Sequence, residues 1–353
     1  YRSTMRGGLF NDKINYTDSL LQLFSKSKSQ TIIAENENYF TWNEHNQLNV
    51  GVNFSSSSAV TNNYESTKSL SKISFLIGNK FSFLNDRLIA YASARADHFS
   101  FGTLPVTGNL SSEYKLNSYI SFKVNAARVY RQPTLNELYW MPGGNINLKP
   151  EEGFTYEGTI DVKHQIKNIS FFISTAAYSR SINNWILWLP GSNGNPSPIN
   201  IQQVWSRGAE TTWRINYNKN KFRCNLNVVT GYVLSTINSN GQENNNTVNK
   251  QLIYTPRYTL NSNLLIGYNK IALTFFNQYI GYRFTTSDNS QWLNPYQISS
   301  LRLNYSLSFK AMSFVVFGAC NNLFDKNYTI LSGRPMPLRN YEIGITLQTK
   351  NKK

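Results

Sequence analysis

The sequence predicts an all-β fold, a transmembrane antiparallel up-and-down β-barrel of about sixteen strands. Segments of about ten residues repeatedly carry apolar side chains at every second position, as strands with one apolar face do. The connections between these segments are alternately short and long, as an up-and-down membrane barrel requires. No apolar run approaches the roughly 18 to 20 residues that a membrane-spanning helix needs. A bundle of membrane helices is therefore excluded.

The alternation is clearest in four segments of the chain. In the last of them, Leu303 and Tyr305 share one face of the predicted strand, whereas Arg302 and Asn304 share the other. Ionised and amide groups recur on the polar faces, which suits a water-filled lumen. Aromatic residues are frequent near the ends of the apolar faces, like the girdles of a barrel at the membrane interfaces. The four segments are residues 45–55, 119–130, 154–164 and 299–310.

The connections predict the two ends of the barrel. Short turns belong to one end and long links to the other. The chain has no Gly/Ser-rich linker and no shift in composition, so residues 1–353 are expected to form one domain. Short turns are expected near residues 42–45, 84–87, 115–117, 165–168, 218–221, 268–270 and 310–311, and long links at 20–29, 55–69, 101–107, 132–153, 189–199, 237–251, 286–296 and 331–339.

The composition fits strands that divide their side chains between lipid and water. Only 40% of the residues are hydrophobic, yet 14% are aromatic. The net charge of +16 fits a solvated lumen and loops, with a basic surface for anionic lipid head groups or an anionic ligand as the alternative. The basic residues are scattered along the chain, so nucleic-acid binding is not predicted.

No pattern typical of an enzyme is found in the sequence. His45, His98 and His164 fall in separate predicted elements, and the HExxH, P-loop and GxGxxG motifs do not occur. Cys224 and Cys320 are predicted about four strands apart, a separation near 19 Å, whereas a disulfide needs Cα atoms within about 7 Å. We therefore predict free thiols, no metal site, no cofactor held by this segment and no enzymatic activity.

Two groups of motifs occur in order along the chain. The first covers residues 128–140, 143–151 and 156–158, and the second covers residues 322–328 and 334–340 with the last strand at 341–347. They resemble the conserved blocks of the TonB-dependent outer-membrane receptors, although Leu338 stands where the family usually has glycine. The structural motif positions are Arg128, Pro133, Glu137, Tyr139, Asn145, Pro150, Glu151, Glu157, Asn322, Phe324, Asp325, Tyr328, Pro337 and Arg339.

The resemblance implies an integral protein of the bacterial outer membrane. Receptors of this family have a barrel of 22 strands, an N-terminal plug domain and a short segment that contacts TonB. Residues 1–353 are therefore expected to be the C-terminal part of such a barrel, without the plug and the first strands. The implied partners are outer-membrane lipid, the plug-bearing N-terminal part and TonB, and a surface lipoprotein is a further candidate.

The resemblance also implies active uptake of a scarce, large ligand. The sequence of the first block is most similar to those of the cobalamin-receptor-like members, so cobalamin is the first candidate ligand. A ferric siderophore or another iron chelate is the next candidate. Aromatic side chains in the predicted loops offer stacking surface for such a ligand. For Trp185 and Trp205 a place in the interfacial girdle is the alternative. The candidate ligand-binding residues are Tyr139, Trp140, Trp188, Trp205 and Trp292.

Two further interpretations concern charge and function. Glu151, Glu152 and Glu157 lie near Arg128 and Arg131 in sequence, and charge pairing that holds a loop to the barrel wall is favoured over contact with ligand.

The alternative function is a passive porin with sixteen strands, because porins also have polar lumens. An enzyme or an adhesin built on a barrel has no supporting feature in the sequence.

Overall fold

The computed structural model describes residues 1–19, 23–100, 102–103, 106–190, 195–239, 246–309 and 312–349. Most of these residues form one sheet of seventeen strands, of which one is the two-residue segment Gly102–Thr103. Two small sheets of two strands each lie in the links, Arg283–Phe284 with Trp292–Leu293 and Thr329–Leu331 with Arg334–Pro335. The other sixteen are long and are numbered here in chain order. They are β1 Arg2–Asp18, β2 Leu23–Asn43, β3 Asn46–Thr61, β4 Lys68–Phe83, β5 Leu88–Phe99, β6 Thr107–Lys115, β7 Ile120–Arg131, β8 Glu151–Ile166, β9 Ile169–Pro190, β10 Pro196–Lys219, β11 Phe222–Ser239, β12 Tyr258–Tyr268, β13 Ile271–Ile280, β14 Tyr296–Ser308, β15 Met312–Asn321 and β16 Asn340–Thr349.

The sheet is an antiparallel meander, in which each long strand pairs with the next one along the chain. This is the up-and-down topology that the sequence predicts. Within the described residues, no ladder joins β1 to β16, so both strands are edges of the sheet.

The two faces of the sheet differ as predicted. On β14, Leu303 and Tyr305 are 51% and 43% exposed, and they share a face with exposed Val316 and Ile345 of the neighbouring strands. Arg302 and Asn304 lie on the opposite face. We call these the apolar face and the polar face. An apolar face that stays exposed over many strands is what a barrel presents to lipid, not what a soluble sandwich buries in its core.

The connections also alternate as predicted, with a turn end and a loop end. Turns of two to four residues occupy 44–45, 84–87, 116–119, 167–168, 220–221 and 269–270. Links at the loop end include 62–67, 132–150, 281–295 and 322–339. The predicted turn at 310–311 lies outside the described residues.

Several predicted loops are wrong in extent. The expected link 55–69 shrinks to 62–67, because β3 continues to Thr61 and β4 begins at Lys68. The expected link 189–199 is likewise mostly strand. The extension of β3 is mostly polar on both faces, as where the Oγ atoms of Ser56 and Ser71 lie 2.9 Å apart, so it lacks the alternation by which a strand is recognised.

The remaining elements are few. One helix, α1 Leu135–Tyr139, lies in the link between β7 and β8. None of the helices among the described residues is long and apolar enough to cross a membrane. Cys224 and Cys320 are free, and they lie on the apolar face of β11 and β15.

The assignment of faces predicts a contrast between two neighbouring residues. Leu303→Arg is expected to lower the free energy of unfolding by about 2–4 kcal/mol, because the charge would enter the lipid-facing side of a membrane strand. Asn304→Arg, on the polar face, is the matched control and should change it by less than about 0.5 kcal/mol. Urea unfolding of the protein in phospholipid vesicles, followed by tryptophan fluorescence, measures both values. Equal losses would contradict the assignment.

Candidate functional site

The links at the loop end form two clusters, and the first is built on the link 132–150. Helix α1 begins there with a capping box, in which the Thr134 N–H donates to the Glu137 carboxylate at 2.7 Å and the Glu137 N–H donates to Thr134 Oγ1 at 3.3 Å. These bonds satisfy backbone donors that a helix start leaves unpaired. The capping box fixes the short helix directly after β7.

Arg131, at the end of β7, binds two carboxylates at once. Its Nε and Nη2 donate to Glu151 at 2.8 Å each, and its Nη1 donates to Glu137 at 2.9 Å. Both carboxylates are buried. Glu151 also accepts the Ile186 N–H at 2.8 Å, so Arg131 connects β7, α1, β8 and β9. The charge pairing favoured from the sequence is present here, and Arg128 pairs with Glu152 at 3.1 Å.

The charge of Arg131 determines the ionisation of Glu137. Burial alone would raise the pKa of Glu137, but the hydrogen bonds from Arg131 and Thr134 and the charge of Arg131 hold it below the ordinary glutamate value. Glu137 therefore stays ionised at neutral pH inside the folded link.

The link 132–150 is fastened to strands on either side of it. Towards β3, the Met141 N–H donates to the Asn63 carbonyl at 2.8 Å, and Asn63 Nδ2 donates back to the Met141 carbonyl at 3.0 Å. The Tyr64 hydroxyl also donates to Asn136. Towards β10, Asn200 Oδ1 accepts the Lys149 N–H at 2.8 Å. The link therefore spans the loop end from β3 to β10.

The middle of this link packs closely against β10. Gly143 has a φ of +122°, and a Cβ atom there would lie 2.2 Å from the Pro196 carbonyl oxygen, so only glycine fits. Asn145 Nδ2 donates to the Pro198 carbonyl at 3.2 Å, and Asn184 Nδ2 donates to the Pro150 carbonyl at 3.4 Å. Pro133 is fully buried.

Three of the predicted ligand-binding aromatics lie on or beside this link. Tyr139 packs against the buried cluster of Leu138, Leu148 and Ile186, and Lys68 Nζ lies 4.8 Å from the centre of its ring. Trp140 meets Tyr64 edge to face, with 6.5 Å between ring centres. Trp188 contacts the turn at Gly143, since its ring would lie 3.8 Å from a Cβ atom there. All three side chains are partly exposed.

The other two predicted aromatics lie apart from this group. Trp205 lies on the apolar face of β10, where Arg207 covers its ring at 3.8 Å and its Nε1 donates to Ser179 at 2.9 Å. This position favours the girdle alternative. Trp292 is 54% exposed in a short hairpin, paired with Phe284 in the link 281–295.

A second cluster joins the neighbouring links. Gln251 is 1% exposed, and its backbone exchanges two hydrogen bonds of 2.9 Å with the side chain of Asn289. Gln251 Oε1 also accepts the Ser235 N–H at 3.1 Å. The buried Arg283 guanidinium donates to the carbonyls of Asn294 and Thr329 at 2.8 and 3.1 Å. Side chains bonded to backbone thus connect the three links between β11 and β16.

The second sequence motif belongs to this cluster. Asn322 is 3% exposed, its Oδ1 accepts the Lys326 N–H at 2.8 Å, and its Nδ2 donates to the carbonyls of Lys326 and Pro337. Asp325 Oδ1 accepts the Arg339 N–H at 2.9 Å, and the rings of Tyr328 and Tyr296 lie 4.9 Å apart. Phe324 is 71% exposed.

Several anchors of these clusters had no signal in the sequence. Asn63, Asn200, Gln251, Asn289 and Arg283 stand in polar segments without periodicity, where nothing distinguishes them from solvated residues. Glu157, a predicted motif residue, lies on the polar face of β8 and accepts a hydrogen bond from Thr159 Oγ1 at 3.3 Å. No group of three or more metal-ligating side chains occurs in the part of the chain that the structure describes.

The two-faced meander, with short turns at one end and clustered links at the other, defines a transmembrane β-barrel. Comparison with known proteins gives the particular family. The family model described as "TonB dependent receptor-like, beta-barrel" matches residues 2–323. The chain belongs to this family of TonB-dependent receptors.

Curated relatives are similar in sequence over part of their length. The vitamin B12 transporter BtuB of Photobacterium profundum is 27% identical over 237 residues, which are 66% of this chain and 36% of that protein. BtuB of Vibrio vulnificus is 27% identical over 229 residues, again 36% of its length.

Solved receptors share the fold at low identity. The ferric enterobactin receptor PfeA of Pseudomonas aeruginosa has a TM-score of 0.69 at 17% identity, and the alignment covers 99% of this chain and 59% of the receptor. The FrpB iron transporter of Neisseria meningitidis has a TM-score of 0.72 at 10% identity, covering 99% of this chain and 60% of FrpB. The chain therefore spans about three fifths of their length.

The Arg131 cluster predicts a large effect of one substitution. Arg131→Met leaves two buried carboxylates unpaired, which costs about 3–5 kcal/mol for a fully buried pair and about 2 kcal/mol here, because the Arg131 side chain is 40% exposed. Arg128→Met is the matched control, since Arg128 is equally exposed but Glu152 is 41% exposed, and should cost under about 1 kcal/mol. Denaturant unfolding gives both values. Equal costs would contradict the anchoring role.

The lowered pKa of Glu137 predicts acid release of the link 132–150. A carboxyl whose pKa is depressed by folding adds stability above its unfolded pKa, and this stability is lost as the pH falls through the folded value. Protease cleavage within 132–150 should therefore increase only below the ordinary glutamate pKa of about 4.3. Glu137→Gln should flatten this dependence. Unchanged cleavage of the native protein on acidification would count against the mechanism.

Proposed function

We propose that the chain is the C-terminal part of the barrel of an outer-membrane receptor that takes up a large, scarce ligand by a TonB-dependent mechanism. The observation that supports this most is the anchored link 132–150, which presents Tyr139 and Trp140 near Trp188 at the loop end. Partly exposed aromatic side chains held on a rigid support suit the stacking surface that a large ligand needs.

Cobalamin is the ligand that we propose first. The two vitamin B12 transporters align with more than half of this chain, whereas the solved siderophore and iron receptors share the fold at 17% identity or less. An iron chelate is the second candidate. The aromatic side chains suit either ligand, because both have extended flat or aromatic surfaces.

The proposal includes the rest of the receptor. Strands β1 and β16 are edges within the described residues, and an unpaired strand edge is not tolerated in the hydrocarbon of a bilayer. We infer that further barrel strands pair with both edges, and that a plug-bearing part contacts the polar face and TonB. The passive porin is disfavoured, because it would require β1 and β16 to close on each other. The outer membrane follows as the location, and a surface lipoprotein remains a candidate partner.

Calorimetry on the intact receptor tests the proposed ligand. Cobalamin, a ferric siderophore and haem are titrated separately, and cobalamin is expected to bind. Trp140→Ala should weaken this binding at least about tenfold, or about 1.4 kcal/mol, because it removes a stacking surface. Trp205→Ala, on the apolar face, is the control and should leave the affinity unchanged.

Two results would contradict this assignment. Intact receptor that binds no cobalamin rules out the first ligand, and tight binding of the siderophore alone transfers the proposal to an iron chelate. If Trp205→Ala weakens binding while Trp140→Ala does not, the ligand surface lies elsewhere.

A further inference from the structure

The apolar face has a depression where β5 to β9 carry small side chains. A cavity of about 850 Å³ lies there. Ala90, Val124, Gly158 and Ala177 form one row across these strands. A Cβ atom added at Gly158 would meet no atom within 4 Å, so the space above this row is open. We call this depression the outer groove.

The outer groove lies on the apolar face rather than in the lumen. Its walls are the apolar-face side chains Phe81, Leu110 and Tyr156, and Leu110 and Tyr156 are 65% and 55% exposed. Tyr91 and Tyr178 directly follow the groove residues Ala90 and Ala177 in sequence, so they point to the other face. Their rings lie over Gly78 and Gly208 on the polar face. The groove is therefore open to the side that meets lipid tails.

Two arginines stand on the same face at the loop-end side of the groove. Arg128 follows the groove residue Ala126 by two positions on β7. Arg207 on β10 lies opposite Ser179, which lines the groove. From strand spacing and rise, the Cα atoms of the two arginines are about 16 Å apart. The backbone positions of the two arginines therefore flank the groove.

The partners of the two arginines differ. Arg128 pairs with Glu152 at 3.1 Å, with both side chains about 40% exposed. Arg207 covers the ring of Trp205 and donates to Thr236 Oγ1 at 3.1 Å, and among the described residues it forms no ion pair. A charge on the lipid-facing side is far less costly near a membrane interface than at the bilayer midplane. The arginines therefore mark the level of the lipid head groups.

We propose that the outer groove binds a phosphate-bearing membrane lipid, with acyl chains in the groove and phosphate at Arg207 and Arg128. A guanidinium group matches phosphate oxygens with two parallel donors. The groove is continuous with the lipid-facing surface, its floor is aliphatic, and its cations stand on one rim. Lipid of amphipathic shape fits this arrangement better than a second copy of the chain, which would not need a cationic rim on an apolar groove.

Native mass spectrometry of the delipidated intact receptor tests the groove. The receptor is titrated with phosphatidylglycerol, and a Gly158→Leu variant should show at least about tenfold weaker lipid binding, because leucine fills the open space. Gly318→Leu is the matched control, since Gly318 lies on the apolar face of β15 and its added Cβ also meets nothing within 4 Å. This control should bind lipid as the native protein does. Heat-modifiable gel mobility verifies that both variants fold.

The arginine rim is tested with a neutral lipid. Diacylglycerol with the same acyl chains should bind the native receptor at least about tenfold less well than phosphatidylglycerol, and Arg207→Gln should remove most of this preference. A photoreactive phosphatidylglycerol should label peptides that contain Ala126, Gly158 or Ser179 in the native protein. This labelling needs no variant, so it tests the site even if a substitution impairs folding.

Equal lipid binding by Gly158→Leu and Gly318→Leu, or labelling confined to other strands, would overturn the proposal. A dimer that Gly158→Leu dissociates would assign the groove to a second copy of the chain and would also overturn it. The inference rests on the bilayer placement proposed above but not on the transported ligand. If the receptor binds cobalamin but shows no groove-dependent lipid binding, only the groove proposal is wrong. If it binds lipid at the groove but no cobalamin, only the proposed ligand is wrong.

Discussion

Backbone hydrogen bonding is the constraint on which the architecture depends. In the hydrocarbon of a bilayer no water is available to pair with an N–H or C=O group, so each strand relies on ladders with its neighbours. The meander meets this demand by pairing every strand with the next along the chain, and the short turns keep those pairs adjacent. Because this pairing uses only the backbone, the side chains can point alternately to the two faces of the sheet. At β1 and β16 the same constraint is the reason for the further strands that we propose.

The side chains then follow from the solvent on each face. Leucine, isoleucine and aromatic residues face lipid because nothing else covers them, and asparagine, serine and charged groups face the lumen. Lys123 and Asp161, 2.6 Å apart on the polar face, show how the lumen wall pairs its charges across strands. A soluble protein would bury the first set and expose the second.

The sequence predicts the fold because this division repeats at every second residue. Strand number and the facing of residues 299–308 were predictable from periodicity, and the alternation of turns was predictable from the lengths of the connections. Strand ends were not, since β3 continues to Thr61 with mostly polar residues on both faces. Such extensions satisfy their backbone by pairing and need no apolar side chain, so the composition of residues 55–61 is that of a loop.

At the loop end, the sequence predicts the motif residues but not the other residues that anchor the links. The motif residues Glu137, Glu151 and Asn322 were identifiable from resemblance, and the structure explains them as partners of Arg131 and of loop carbonyls. The anchors Asn200 and Gln251 were not identifiable, because a side chain that bonds to the carbonyl of a residue far away in sequence leaves no local pattern. Which polar residue of a link is structural is decided by the fold, not by the neighbouring sequence.

The way in which the link 132–150 is tied down separates two kinds of position within it. Its fixed points, Arg131 at one end and Asn145 near the other, bind strands and carbonyls, whereas the side chains of Met141 and Ile146 are 51% and 71% exposed. Substitutions at the unconstrained positions alter the surface offered to solvent without disturbing the attachment. The exposed surface of the link can therefore vary between related sequences, while the bonds that attach the link to the strands stay the same.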